Sequence, residues 1–179
     1  ACKFHSQGNI SEAKKYYQYC ISQGFNDHRV FSNYGIILKN LGKLREAEKS
    51  YRKAIEIKPD FADAYSNLGN VLKDLGNLKD AEKSYRKAIE IKPDYIQAYS
   101  NLGNVLKDLG DLKDAEFSYR KAIEIKPDYA DAHYNLGNLL KDLGKLKESI
   151  LSYEEALNLD NNLDIAKEGI GKILLKTGK

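Results

Sequence analysis

Apolar residues recur along this chain at helical spacing, in short blocks punctuated by Gly and Pro. In residues 62–95, Ala64, Tyr65, Leu68, Val71, Leu72 and Leu75 share one side of a helix predicted to run from about Asp63 to Leu75. Asp63, Ser66, Asn67, Asn70, Lys73 and Asp74 form its polar face, within about 120° of arc. Gly76 follows where a C-cap glycine ends a helix. Asn77 is placed as the next N-cap, with Asp80 three residues on in a variant capping box. A second apolar stripe, Leu78, Ala81, Tyr85, Ala88 and Ile89, predicts a helix to about Ile91. Pro93 forbids continuation, and Asp94 is placed to cap the helix after it.

The same two-helix pattern returns every 34 residues. Gly8, Gly42, Gly76, Gly110, Gly144 and Gly178 keep that step, as do Gly35, Gly69, Gly103, Gly137 and Gly171, and Pro59, Pro93 and Pro127. Residues 62–95 and 96–129 differ only at Ala62/Ile96, Asp63/Gln97, Asn77/Asp111 and Lys83/Phe117. No single hairpin can bury its own apolar face, so stacking of hairpins has to supply the core. Small Gly69, Ala81 and Ala88 are expected to let helices approach, with Tyr65 and Tyr85 filling gaps between neighbouring hairpins.

A 34-residue helix–turn–helix carrying Tyr65, Leu68, Gly69, Leu72, Ala81, Tyr85, Ala88 and Pro93 resembles the tetratricopeptide repeat. The resemblance implies an all-α, right-handed superhelical solenoid of antiparallel helix pairs. It divides the chain into a partial repeat (1–27), four full repeats (28–61, 62–95, 96–129, 130–163) and a capping or partial-repeat helix (164–179). The ends drift: Cys20 and Phe25 replace the late Ala and the Pro of the partial repeat, and Ser149 and Asn161 replace the early Ala and the Pro of the last full one. In tetratricopeptide arrays the first helices line a concave surface, so the polar face of 62–95 would repeat along a groove.

That groove would carry ladders. One is Asn33, Asn67, Asn101 and Asn135; a second is Asn70, Asn104 and Asn138, broken by Ile36. Lys39, Lys73, Lys107 and Lys141 form a third, and Asp74, Asp108 and Asp142 run beside it, with Asn40 in the first repeat. Asn is a weak helix former but offers an acceptor and two donors, which suits an extended peptide backbone. The phrase Ala-Tyr-Ser-Asn-Leu-Gly-Asn and the Lys-Pro-Asp-Phe/Tyr junction are similar to the repeats of O-linked N-acetylglucosamine transferases. That resemblance implies peptide holding by Asn33, Asn67, Asn101 and Asn135; it does not imply the transferase, for which the chain has no room. Duplication alone would also preserve such a ladder as a merely solvated face. The Lys and Arg of a carboxylate clamp are missing, since Ser66, Ser100, Tyr134, Gln97, Asp131, Asn101 and Asn135 hold those places.

Charge and composition narrow the field. Twenty-nine basic against 26 acidic residues give a formal net charge of +3, too even for a generic nucleic-acid binder, so no nucleic acid is expected. No run of about 18 apolar residues encodes a membrane span. Cys2 and Cys20 form neither a metal pattern nor a disulfide framework and read as reduced thiols, which with the absence of an export signal points to the cytoplasm. Asn9-Ile10-Ser11 matches a glycosylation sequon by chance on this reading. His5, His28 and His133 are scattered, with His133 standing in for Tyr65 and Tyr99 as a packing residue. Gly169-Ile170-Gly171-Lys172 lacks the earlier Gly and the following Ser or Thr of a phosphate loop. No enzyme, cofactor or metal site is expected. The second helices carry Lys49, Arg52, Lys53, then Lys83, Arg86, Lys87, then Arg120 and Lys121, interleaved with Glu56, Glu90 and Glu124, as a solvated face of helix-stabilising pairs. Phe117, in a place held elsewhere by Lys, is a candidate contact residue.

The expected function is a protein–protein interaction scaffold that takes an extended peptide or protein segment on its first-helix face. Rival readings are a homo-oligomer joined through the end helices, where Ile165, Ile170, Ile173, Leu174 and Leu175 make an apolar last helix, and the substrate- or partner-binding arm of a larger transferase. A trimmed or engineered chain without one natural ligand is a third; the lack of any Met reads as a fragment.

Overall fold

The computed structural model describes residues 10–177. Cys2, His5, Gly8, Asn9 and Gly178 lie outside them. Among the described residues the chain forms ten helices and no strand: α1 (Ile10–Ser22), α2 (His28–Asn40), α3 (Leu44–Ile57), α4 (Ala62–Asp74), α5 (Leu78–Ile91), α6 (Ile96–Leu109), α7 (Leu112–Ile125), α8 (Ala130–Asp142), α9 (Leu146–Leu159) and α10 (Asp164–Thr177). They fall into two compact units, Ala1–Pro93 and Asp94–Lys179. The first contains α1 to α5, with the hairpins α2–α3 and α4–α5. The second contains the hairpins α6–α7 and α8–α9, followed by α10.

Helix ends follow backbone chemistry more than the expected side-chain caps. Gly76 adopts φ 80°, a left-handed conformation that costs a β-carbon-bearing residue about 1 kcal/mol or more. The reversal lets the Asn77 amide donate to Leu72 O at 2.8 Å and the Gly76 amide to Lys73 O at 2.9 Å, which satisfies carbonyls α4 would leave unpaired. The expected caps fail. Asn77 stands at the N-cap of α5 but its side chain makes no cap hydrogen bond. Asp94 is not the cap of α6 either: that position is Tyr95, and Asp94 contributes its backbone carbonyl, 3.0 Å from the Ile96 amide. The turn from Gly76 into α5 is so tight that the backbone closes on itself, with the Leu78 amide 3.0 Å from Gly76 O. A side-chain cap does form at α2, where Asp27 accepts from the Arg29 amide at 2.8 Å. The Arg29 guanidinium, and then that amide, hold the Asp27 carboxyl down at about 2.

Each hairpin closes on one tyrosine. Tyr51, Tyr85, Tyr119 and Tyr153 of the second helices are essentially fully buried. They press against the glycine of their own first helix, so tightly that a Cβ built on Gly69 would sit 2.7 Å from Tyr85 Cε1. Tyr85 therefore packs within its own hairpin. Tyr153 also abuts Gly169 of α10, so it packs between its own hairpin and the element after it. Within the first unit α3 packs on α4 and α2 touches α4; within the second α7 packs on α8, α9 on α10, and α6 touches α8. Ala166 and Ile173 of α10 join Tyr153 in a buried cluster that Tyr134, Leu146, Ile150, Leu157, Leu163 and Ile170 flank. Ser149, which replaces the early Ala, is fully buried and satisfied: its hydroxyl donates to Gly137 O at 2.7 Å.

Candidate functional site on the first helices

The polar face of the first helices is narrower than expected. Ser66 and Ser100, counted within it by spacing, are buried. Ser100 meets the Tyr129 hydroxyl through its side chain, so the residue serves packing within the second unit. What faces outward is Asn33 and Asn67 on α2 and α4, and Asn101 and Asn135 on α6 and α8, all half-buried. Half-burial suits a polar row meant to meet a ligand, because part of the solvation cost is already met.

The second row is anchored from beneath. The Tyr85 hydroxyl donates to Asn70 Oδ1 at 2.7 Å, Tyr119 to Asn104 Oδ1 at 2.7 Å, and Tyr153 to Asn138 Oδ1 at 2.8 Å. Burial pushes the Tyr85 and Tyr119 phenols well above their ordinary range, with a smaller push from Asp74 and Asp108, so these groups stay neutral donors. In the first hairpin Ile36 occupies the asparagine's place, and the buried Tyr51 hydroxyl has no hydrogen-bond partner. The interruption at Ile36 was visible in the sequence. Its meaning was not, because the partner lies on the other helix, 15 residues on.

The Lys and Asp rows are not independent. Lys39 Nζ of α2 lies 3.9 Å from Asp74 of α4, and Lys107 Nζ of α6 lies 2.9 Å from Asp142 of α8. Each lysine thus reaches the aspartate one repeat further on. Both partners are about a third or more exposed, so these pairs contribute only some tenths of a kcal/mol by themselves. Lys73 and Lys141 are half-buried, Asp108 is exposed, and Lys141 Nζ approaches Asn138 Oδ1 at 3.4 Å.

On the second helices the basic residues are paired along their own helices, as in Arg52–Glu48 at 2.9 Å, Lys53–Glu56 at 2.7 Å, Arg86–Glu82 at 3.0 Å and Lys121–Glu124 at 2.7 Å. Lys58 and Lys126 cap helix C-termini and lie over the rings of Phe61 and Tyr129. Phe117 is 60 % exposed, with Lys121 Nζ 5.9 Å from its ring. His133 is half-buried, its Nε2 2.8 Å from Pro127 O. Sequence reasoning missed a crevice of about 520 Å³ between α3 and α5, floored by Ile55, Tyr65 and Leu68 and walled by Arg52, Glu56, Lys83, Ser84 and Lys87. Tyr65 lines this opening and does not fill it. The second unit repeats the crevice at about 420 Å³, with Leu151 and Glu155 where the first has Lys83 and Lys87. Of the apolar residues of α10, Ile173 is buried and Ile170 half-buried against α9, while Ile165, Leu174 and Leu175 are exposed. Among the described residues no group of three His, Cys, Asp or Glu side chains could hold a metal, and no helix is long and apolar enough to cross a membrane.

Family models agree with this geometry. The TPR repeat model matches residues 35–76, 69–110 and 103–144, and the tetratricopeptide repeat model matches 130–163. The chain belongs to the tetratricopeptide repeat family. No curated protein matches it. Among solved structures, the crystal structure of MamA is similar at 24% identity and a TM-score of 0.82, over 89% of this chain and 93% of that one. MamA 41-end from Desulfovibrio magneticus RS-1 is similar at 22% identity and a TM-score of 0.81, over 90% and 92%. YrrB, described as a TPR protein with an unusual peptide-binding site, is similar at 23% identity and a TM-score of 0.74, over 90% and 84%. At these identities the likeness shows the fold. An all-α tetratricopeptide solenoid is a protein-interaction scaffold, and tetratricopeptide proteins bind proteins or peptides.

Proposed function

We propose that the first-helix faces hold an extended segment of another protein, with Asn33 and Asn67 in the first unit and Asn101 and Asn135 in the second bonding its backbone. The observation that carries this reading is the half-buried asparagine row at repeat spacing, a residue choice that helix stability does not favour. The Lys39–Asp74 and Lys107–Asp142 pairs beside it select charge by exchanging partners with the segment. The peptide-binding site named for YrrB adds support from a protein of the same fold. The work done is binding, without a chemical step. The test substitutes Asn67, Asn101 and Asn135 by Ala, checks folding by circular dichroism, and measures affinity for peptides selected from a random library. Loss of binding with the fold intact is expected; unchanged affinity sinks the reading.

A second reading, self-association, draws on one observation: α10 exposes Ile165, Leu174 and Leu175, the last at 83 %. Light scattering over a concentration series separates the two, because a strict monomer excludes association through α10.

A further inference from the structure

We infer that Tyr119 and Tyr153 set the hydrogen-bond polarity of the second asparagine row, so that Asn104 and Asn138 offer N–H donors and take backbone carbonyl oxygens of a bound segment. This rests on the peptide-binding reading above and adds which edge of the peptide is read. An asparagine amide can turn over and present either its oxygen or its nitrogen. Here the choice is made from below. Each tyrosine is buried, and a buried phenol needs an acceptor for its proton. The Asn104 and Asn138 carbonyl oxygens supply it at 2.7 and 2.8 Å. At Asn138 the lock is double, because Lys141 Nζ also approaches the same oxygen at 3.4 Å. Turning that amide over would set its NH2 against both an O–H and an ammonium. The Asn138 carbonyl thus has both its acceptor sites met by the protein, and the Asn104 carbonyl has one, from Tyr119. The amide is planar with its oxygen and nitrogen about 120° apart, so an oxygen held by the buried tyrosine turns the NH2 group away from that tyrosine, on residues that are themselves only half-buried. A pair of NH2 donors so fixed is complementary to carbonyl oxygens. The first hairpin lacks this feature altogether, since Ile36 can neither fix a tyrosine nor donate.

The inference makes Tyr119 and Tyr153 positioning residues for binding, beyond their part in the core. The probe is a fluorescent peptide selected from a random display library on the full chain, read by anisotropy. Asn138→Asp replaces the NH2 by an oxygen of the same shape. Its carboxylate still accepts from Tyr153 and Lys141, so the melting temperature should hold or rise. Its outward oxygen now faces the carbonyl, so affinity should fall about tenfold, more than the about threefold expected of Asn138→Ala. Asn104→Asp should behave alike. Tyr153→Phe should weaken the peptide severalfold in the native background, yet change nothing when Asn138 is already Ala, an effect a merely structural tyrosine would not show. Asn138→Asp binding as well as or better than Asn138→Ala overturns the polarity. If Asn135→Ala still weakens the peptide in that case, the peptide-binding reading survives. If neither Asn135→Ala nor any second-row change alters binding, both fall.

Discussion

The hairpins 28–61 and 96–129 share a plan and differ in a buried hydrogen bond. Both press a second-helix tyrosine onto a first-helix glycine, Tyr51 on Gly35 and Tyr119 on Gly103, with both rings buried. Tyr119 is then pinned by Asn104 at 2.7 Å, whereas Ile36 stands in the asparagine's place and the Tyr51 hydroxyl has no hydrogen-bond partner. A further difference lies at the second-helix surface. Glu116 bonds Arg120 of α7 at 2.8 Å and also Lys145 at the start of α9 at 2.9 Å, while Glu48 bonds Arg52 of its own helix. The lesson is that ring packing builds the hairpin, and polar bonds tighten and orient it. A repeat tolerates loss of the bond while it keeps the ring and the glycine.

The largest expected effect tests the shared part. Gly103→Ala would place a Cβ 2.5 Å from Tyr119 Cε1, and the ring, tethered by its hydroxyl, cannot retreat freely. A loss of about 3 kcal/mol is expected by urea denaturation. Gly35→Ala meets Tyr51 at 2.8 Å, and that ring has no tether, so the loss should be smaller. Equal losses would show that the hydrogen bond does not hold the ring.

Next comes exchange of the differing residue. Asn104→Ile should leave the Tyr119 hydroxyl buried and unpaired, costing about 2 kcal/mol. The reverse change, Ile36→Asn, should give Tyr51 its acceptor and stabilise by about 1 kcal/mol after the lost apolar contact is subtracted. Adding Tyr51→Phe should erase that gain in a double-mutant cycle; a gain that survives would locate it in helix surface chemistry. Smaller again, Tyr119→Phe should cost about 1 kcal/mol and Tyr51→Phe about nothing, because only the former removes a made bond. Equal costs would mean that Tyr51 finds a partner in solution.

Much of this was legible in the chain. The 34-residue step, the Gly76-type helix ends and the two helices per repeat follow from local spacing, which the helix period translates directly into faces. The side-chain cap at Asn77 does not form because the tight Gly76 turn satisfies the start of α5 through the backbone, and the one at Asp94 does not form because α6 is entered from Tyr95, one residue on; no local pattern reports either. The asparagine rows were legible as a face. Which asparagine is held, and by what, was not: the Tyr85–Asn70 bond joins two helices whose rotational setting depends on the depth of the Tyr85–Gly69 contact. Ser66 failed for the same reason, since a helical wheel assigns a side but not what packs against it. The sequence carried no signal for the tyrosine–asparagine bond, because the tyrosine stays in all four repeats, at 51, 85, 119 and 153, while its partner position changes to Ile36 in one.

The smallest expected effect concerns the surface tie at Glu116. Lys145 occupies a place that Asn77 holds two repeats earlier, so Lys145→Asn recreates the plainer arrangement of Glu48. Lys145, then Arg120, lowers the Glu116 carboxyl below the ordinary glutamate range. A carboxylate lowered in the folded state stabilises above its unfolded value, and that contribution fades as pH falls through the folded one. Lys145→Asn should therefore cost about 0.5 kcal/mol near neutral pH and about nothing once Glu116 is protonated. Because Glu116 is mostly covered while Lys145 is near half-exposed, added salt should shrink the difference only in part. Paired denaturation curves at neutral and strongly acidic pH read this directly. A difference that persists unchanged into acid would assign the role of Lys145 to helix packing at the start of α9, and the tie between the two helices would then be steric.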